Sequence, residues 1–137
     1  MTPLDNARRI FGGDRYATQA TGIGIEAVAD HSAVCLLTVE PRHCNARNVA
    51  MGGALFTLAD FTAAIAANTD CLADGELHWV SLDATVHYLA PAACGTRLRA
   101  RCAGLKVGRT TALYQTQIES LDNGRCIAIV ETTMMHL

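Results

Sequence analysis

The 137 residues carry a formal net charge of −2, half of them are hydrophobic and 18% are charged, a balance that excludes a disordered chain. A near-neutral chain also lacks the basic footprint of a nucleic-acid binder. The length is that of one domain, 1–137, large enough to bury a core without covalent staples; with aromatics at 5%, that core must be built from Ala, Val, Ile and Leu.

In chain order, residues 4–11 suit a short helix that Gly12-Gly13 ends. Residues 22–30 and 33–40 read as a hairpin turning through Asp30-His31-Ser32, with Val34 to Val39 apolar on both faces and Pro41 beyond it. Arg42 to Ala50 is polar and reads as a loop. Gly52 to about Asn68 is rich in alanine, too long for a strand and apolar nearly all round, which predicts a helix buried on every side. The stretch Met51–Ala67 falls short of the roughly 20 apolar residues of a membrane span and contains Asp60, so no transmembrane segment is expected.

Four strand-like runs follow, at 79–90, 96–103, 109–121 and 125–136. In the first, Leu82, Ala84, Val86 and Tyr88 alternate with polar residues; in the third, Ala112, Tyr114, Thr116 and Ile118 share a face; in the last, Ile127 and Ile129 oppose Cys126, Ala128 and Val130. Gly108 and Asp122-Asn123-Gly124 mark hairpin turns, so the four runs read as an antiparallel meander. One helix cannot cover six strands alone. The expected architecture is α+β, a curved sheet wrapped around the central helix, with the remaining apolar area covered by another subunit.

Cys35, Cys44, Cys71, Cys94, Cys102 and Cys126 form no CxxC pair and follow no secretory h-region, which points to reduced thiols in a cytoplasm, most of them serving as small core hydrophobes. The histidines show no HxxH or HExxH spacing, and His43 beside Cys44 is the only close His/Cys pair, so no metal site is expected. No Walker loop, GxGxxG or GxSxG is present, which removes ATP, dinucleotide and serine-hydrolase readings.

Several residues remain that can carry chemistry. Asp60 sits inside an apolar helix, where a carboxylate is either exposed on a narrow face or held at a subunit seam as a base with raised proton affinity. Gly52 and Gly53 fall at that helix's start, where free amides can stabilise an oxyanion or merely make a turn. Asn45, Asn48 and Ser81 taken singly read as turn and strand residues. Arg97, Arg99 and Arg101 alternate along one strand face, either as a solvated sheet edge or as a phosphate cradle.

Together these residues resemble the hotdog-fold acyl-CoA thioesterases, in the phenylacetyl-CoA thioesterase-like branch. That branch reads N-x-x-G-x-x-H-G-G before an apolar helix with L-x-D. Here Asn45-Ala-Arg-Asn48-Val-Ala-Met51-Gly52-Gly53 precedes Leu58-Ala-Asp60, while VSLDATVHYLAPA (80–92) and LKVGRTTA (105–112) resemble the family's later strand and Gly-Arg hairpin. Met51 replaces the family histidine and Asn48 the family glycine. The resemblance implies acyl-CoA hydrolysis without metal or prosthetic group, by dimers with paired interface sites that often form tetramers. It implies Asp60 as base or nucleophile, the Gly52 amide polarising the thioester carbonyl, Asn45 positioning carbonyl or water from the facing subunit, and Ser81 orienting the water. Met51 and Gly53 would flank the substrate. Tyr88, the turn Lys106, Val107, Gly108, Arg109 and Thr110, and His136 would line the CoA path. A non-catalytic acyl-CoA-binding protein is the alternative, motivated by Met51. A hydratase ranks below both, because no histidine lies on the helix or the loop before it after His43.

Overall fold

The computed structural model describes every residue from Met1 to Leu137. Thr2 caps the first helix, α1 (Pro3–Phe11), by a reciprocal box: the Asp5 amide donates to Thr2 Oγ1 at 3.1 Å and the Thr2 amide to Asp5 Oδ2 at 3.0 Å. The buried Phe11 meets Phe61 edge to face, 6.0 Å between ring centres, and so ties α1 to the central helix. A single π-helical turn (Tyr16–Thr21) follows and closes on Gly22, whose φ of 86° is open to glycine without strain.

The strands β1 (Gly24–Ala29) and β2 (Ser32–Thr38) form the expected hairpin, but its turn is the two residues Asp30-His31, because Ser32 already pairs with Ala29. The long helix α2 (Gly52–Ala67) has the expected limits. After it come β3 (Trp79–Tyr88), β4 (Arg97–Val107), β5 (Thr111–Ser120) and β6 (Cys126–His136).

All strand pairs are antiparallel, and the sheet order is β1-β2-β4-β5-β6-β3. The meander therefore comprises β4 to β6 only. β3 does not neighbour β4: it crosses to the far edge and pairs with β6. β4 lies inside the sheet, so its arginines do not guard an edge. They stand on the outer face and pair across it, Arg97 with Asp122 at 2.9 Å, Arg99 with Glu119 at 2.8 Å and Arg101 with Glu119 at 3.0 Å.

The sheet curves around α2 with Ala33, Cys35 and Leu37, then Leu98, Ala100 and Cys102, then Ala112, Tyr114, Thr116 and Ile118 turned inward. On β6 the inward face is Ala128, Val130, Thr132 and Met134; Ile127 is buried as well, because the pairing slips between Ile118 and Glu119 and the strand is bulged there. Helix and sheet share one core.

Three more expectations change. Two of the six cysteines, not most, lie in that core, Cys35 and Cys102; Cys71 is buried outside it, Cys44 and Cys94 are half-buried and Cys126 is exposed. Burial pushes the Cys35 thiol up to about 12 and Cys102 to about 11, which leaves both unreactive. And α2 is not covered all round. Gly53 is exposed and Thr57, Asp60 and Ala64 half-buried, and at spacings of four, three and four they lie on one side of the helix. The expected alternation in β3 is not realised as burial either, since Val80 to Thr85 are all exposed on this edge strand and its register breaks between Ser81 and Asp83.

Candidate active site

Asp60 points out of the uncovered stripe of α2 into a crevice of about 280 Å³ lined by Asp14, Arg15, Tyr16, Thr57, Phe61 and Ala64. Ser81 reaches it from β3, its hydroxyl donating to Asp60 Oδ1 at 3.4 Å. The register break after Ser81 lies beside this contact. Burial raises the Asp60 carboxyl above its ordinary range, and the single hydrogen bond from Ser81 offsets part of that rise. No cation pairs with it. A carboxylate so placed is a stronger base than one in water.

At the other end of the stripe, α2 opens at Met51, whose backbone is extended and whose side chain makes no cap. The amides of Gly52 and Gly53 donate to no main-chain or side-chain acceptor in the chain, so the positive end of the helix dipole presents two free donors. Tyr88 braces this end: its hydroxyl donates to the Gly52 carbonyl at 3.2 Å, and its ring stands 3.0 Å from where a Cβ on Gly52 would be. A second hollow, of about 240 Å³, opens beside Gly53 and Met51, lined also by Tyr16, Arg42 and Thr57. Tyr16 and Thr57 line both hollows, so the two lie side by side along the stripe from the helix start to Asp60.

Asn45 sits in the loop before α2 with its side-chain oxygen accepting from the amides of Arg47 at 2.9 Å and Val49 at 3.4 Å, a turn-forming role. Nothing in the single chain joins it to Asp60. Asn48 adopts the left-handed conformation, φ 61°, and anchors the loop by accepting from the Cys94 amide at 3.4 Å. His43 is buried and fully engaged, Nδ1 accepting from the Glu40 amide at 2.9 Å and Nε2 meeting the Thr21 carbonyl at 2.7 Å, so it braces the loop against the π-turn.

The turn after β4 gathers Lys106, Val107, Gly108, Arg109 and Thr110, with Lys106 and Gly108 lining a hollow of about 250 Å³. His136 joins it through its amide, which donates to the Thr110 carbonyl at 2.9 Å, and stacks on His78 at 5.5 Å. This group lies at the Ser81 end of the sheet, because Ser81 pairs with Met134 and Thr111 with Met135. Tyr88 lies seven residues along β3 from Ser81, about 23 Å in an extended strand, so one chain does not bring Tyr88 and this turn together. Likewise Gly52 and Asp60 are eight residues apart on one helix, about 12 Å along its axis.

Asp14 lines the Asp60 crevice and carries no signal in the sequence beyond following Gly12-Gly13. Asn68 was equally silent. Buried at the end of α2, it holds the start of β3 through both ends of its side-chain amide. The one cluster able to offer three ligand atoms to a metal is Asp30, His31 and Asp70, with those atoms within 4.8 Å of one another. It stands at the C-terminal end of α2, away from Asp60.

The sequence matches the family described as the thioesterase superfamily over residues 47–127. The chain belongs to that superfamily. It is a thioester hydrolase with the hotdog fold, in the phenylacetyl-CoA thioesterase-like branch. It is 32% identical over 113 residues to the acyl-coenzyme A thioesterase PaaI of Escherichia coli, covering 82% of this chain and 76% of that one. A putative esterase of Archaeoglobus fulgidus is 31% identical over 98 residues, 72% of this chain but only 60% of that protein's length. Among solved structures, the PaaI protein of the E. coli phenylacetic acid degradation operon superposes with a TM-score of 0.84 at 24% identity, covering 99% and 96% of the two chains, a likeness of fold. No helix of this thioesterase superfamily member is long and apolar enough to cross a membrane.

Proposed function

We propose that this thioesterase hydrolyses an acyl-CoA to the free acid and CoA, with Asp60 as base or nucleophile. The observation that carries the reading is the half-buried Asp60 carboxylate, without a cation and touched by Ser81, on a helix whose start presents two amides that lack acceptors. In the base form, Asp60 takes a proton from water held by Ser81, the water oxygen attacks the thioester carbonyl carbon, and the developing oxyanion rests on the Gly52 amide. Collapse breaks the C–S bond, the CoA sulfur leaves with the electron pair, and the proton held by Asp60 passes to it, which restores the carboxylate. A thioester is activated enough for one base and one oxyanion donor to suffice, and no metal or prosthetic group enters.

One carbonyl cannot touch two groups about 12 Å apart on one helix. The reading therefore sets Asp60 of one chain opposite Gly52 and Asn45 of another, in a dimer whose sites are shared and which pairs further into a tetramer. The exposed edge strand β3, with Val80, Leu82 and Tyr88 uncovered, supports such a pairing. On that arrangement Tyr88 from one chain and the Lys106–Thr110 turn with His136 from the other meet along the CoA tail, and the groove at Met51 and Gly53 takes the acyl end.

The test is release of free thiol from a panel of acyl-CoAs. Asp60→Asn lowers kcat by about 10²- to 10⁴-fold; equal rates in both proteins would remove Asp60 from the mechanism. The exposed Met51 favours a second reading, because its thioether donates no hydrogen bond where the family has histidine. A protein that only binds would give calorimetric binding of acyl-CoAs and release no thiol from any of them over hours.

A further inference from the structure

The Asp60 crevice holds a second carboxylate. Asp14 follows the glycines that end α1, and its backbone is fixed on both sides: its amide donates to the Phe11 carbonyl at 3.0 Å, and its carbonyl accepts from the Thr18 amide at 2.9 Å and hydroxyl at 3.0 Å. The π-turn thereby holds its side chain at the wall of the space into which Asp60 projects. No cation is paired with either carboxylate. Arg15 lines the same crevice and forms no ion pair.

We propose that Asp14 is a positioning residue of the hydrolytic site, a second carboxylate whose charge strengthens Asp60 as the proton acceptor. The inference rests on the reading of Asp60 as the base. Asp14 is exposed and Asp60 half-buried, and two like charges lining one crevice hold protons more tightly together than apart. Burial first, and then the Asp60 charge, raise the Asp14 carboxyl. While both are ionised, each carboxylate makes loss of a proton from the other harder, so a charged Asp14 strengthens Asp60 as a base. The other groups on the crevice are Arg15 and Tyr16 from the π-turn side and Thr57 from α2, and Ser81 reaches Asp60 from β3.

Carboxyl-carbon NMR titration of the intact protein reads the coupling directly, without reference to turnover. In wild type the Asp14 midpoint lies above 3.8, and in Asp60→Asn it falls toward that ordinary value. An Asp14 midpoint that Asp60→Asn leaves unmoved overturns the proposal. The kinetic arm is kcat/KM against pH. Wild type loses activity on the acid side in two proton-binding steps, Asp14→Asn in one, with its plateau lowered by about tenfold, and Asp14→Glu restores both steps. A merely structural Asp14 would lower the rate in Asp14→Asn without changing the shape of the acid limb, and that result also overturns the proposal. Failure of the hydrolytic reading is a different outcome, Asp60→Asn turning over as fast as wild type.

Discussion

A methyl group on Gly52 would lie 3.0 Å from Cζ of Tyr88 and 3.1 Å from its hydroxyl oxygen, whereas one on Gly53 would meet nothing within 4 Å. The two glycines are adjacent and alike in sequence, yet only the first is fixed by a neighbour. Gly52→Ala sets its methyl against the exposed Tyr88 ring, which must give by a few tenths of an ångström and so disturbs its 3.2 Å hydrogen bond to the Gly52 carbonyl and the amide proposed to receive the oxyanion. The expected cost is about 1 kcal/mol of stability, the low end of an overpacking cost because the Tyr88 ring is exposed and can yield, and at least about tenfold in kcat. Gly53→Ala places a better helix former in open space and leaves the melting temperature equal or higher. Thermal melts of the two variants side by side check the contrast; equal melting temperatures would show that Tyr88 does not hold the helix start. Asp60 was legible in the sequence because a charge interrupts an otherwise apolar helix, and Ser81 through the resemblance. Asp14 was not: an aspartate after two glycines has the composition of any loop, and only the packing of the π-turn on α2 gives it a partner.

Asn68 decides how α2 hands over to β3. Its amide nitrogen donates to the carbonyls of Ala64 at 2.8 Å and Trp79 at 3.1 Å, and its oxygen accepts from the amides of His78 and Trp79, both at 3.0 Å. The residue is 1% exposed, so no water replaces these partners if it is cut back. Asn68→Ala leaves buried backbone donors unpaired, at a cost of about 3 kcal/mol and a fall in melting temperature of roughly 10 °C. It also loosens the first residues of β3, and with them Ser81 two positions along, so kcat falls while KM for the CoA ester changes less. Melting curves and steady-state kinetics test both parts; a variant as stable as wild type would move the anchor of β3 elsewhere. Elements were readable wherever their signal is local: α2 from its length and alanine content, the β1–β2 hairpin from the turn between two apolar runs. The place of β3 was not. Alternation tells which residues share a face but not which strand lies alongside, and here Leu89 to Thr96 carry the chain from the far edge back to the middle of the sheet.

The whole molecule poses the question that one chain leaves open, since the free amides at the start of α2 and the Asp60 carboxylate stand about 12 Å apart along that helix. The curved sheet covers α2 on one side and leaves the stripe from Gly53 to Ala64 and the edge strand β3 free. Two copies related by a two-fold axis would set the start of one α2 against the middle of the other and make two equivalent sites. Mixing inactive variants distinguishes this from a site within one chain. Asp60→Asn and Gly52→Ala are each impaired alone. If a site takes Asp60 from one chain and Gly52 from its partner, a mixed dimer holds one site with both residues intact and one with neither. After unfolding and refolding an equal mixture, half the dimers are mixed and half their sites are whole, so about a quarter of wild-type activity returns. If each site lies within one chain, every site in the mixture carries a lesion and nothing returns beyond the average of the two variants. Refolding each variant alone controls for losses in the procedure, and the recovered fraction is read as thiol release per mole of chain.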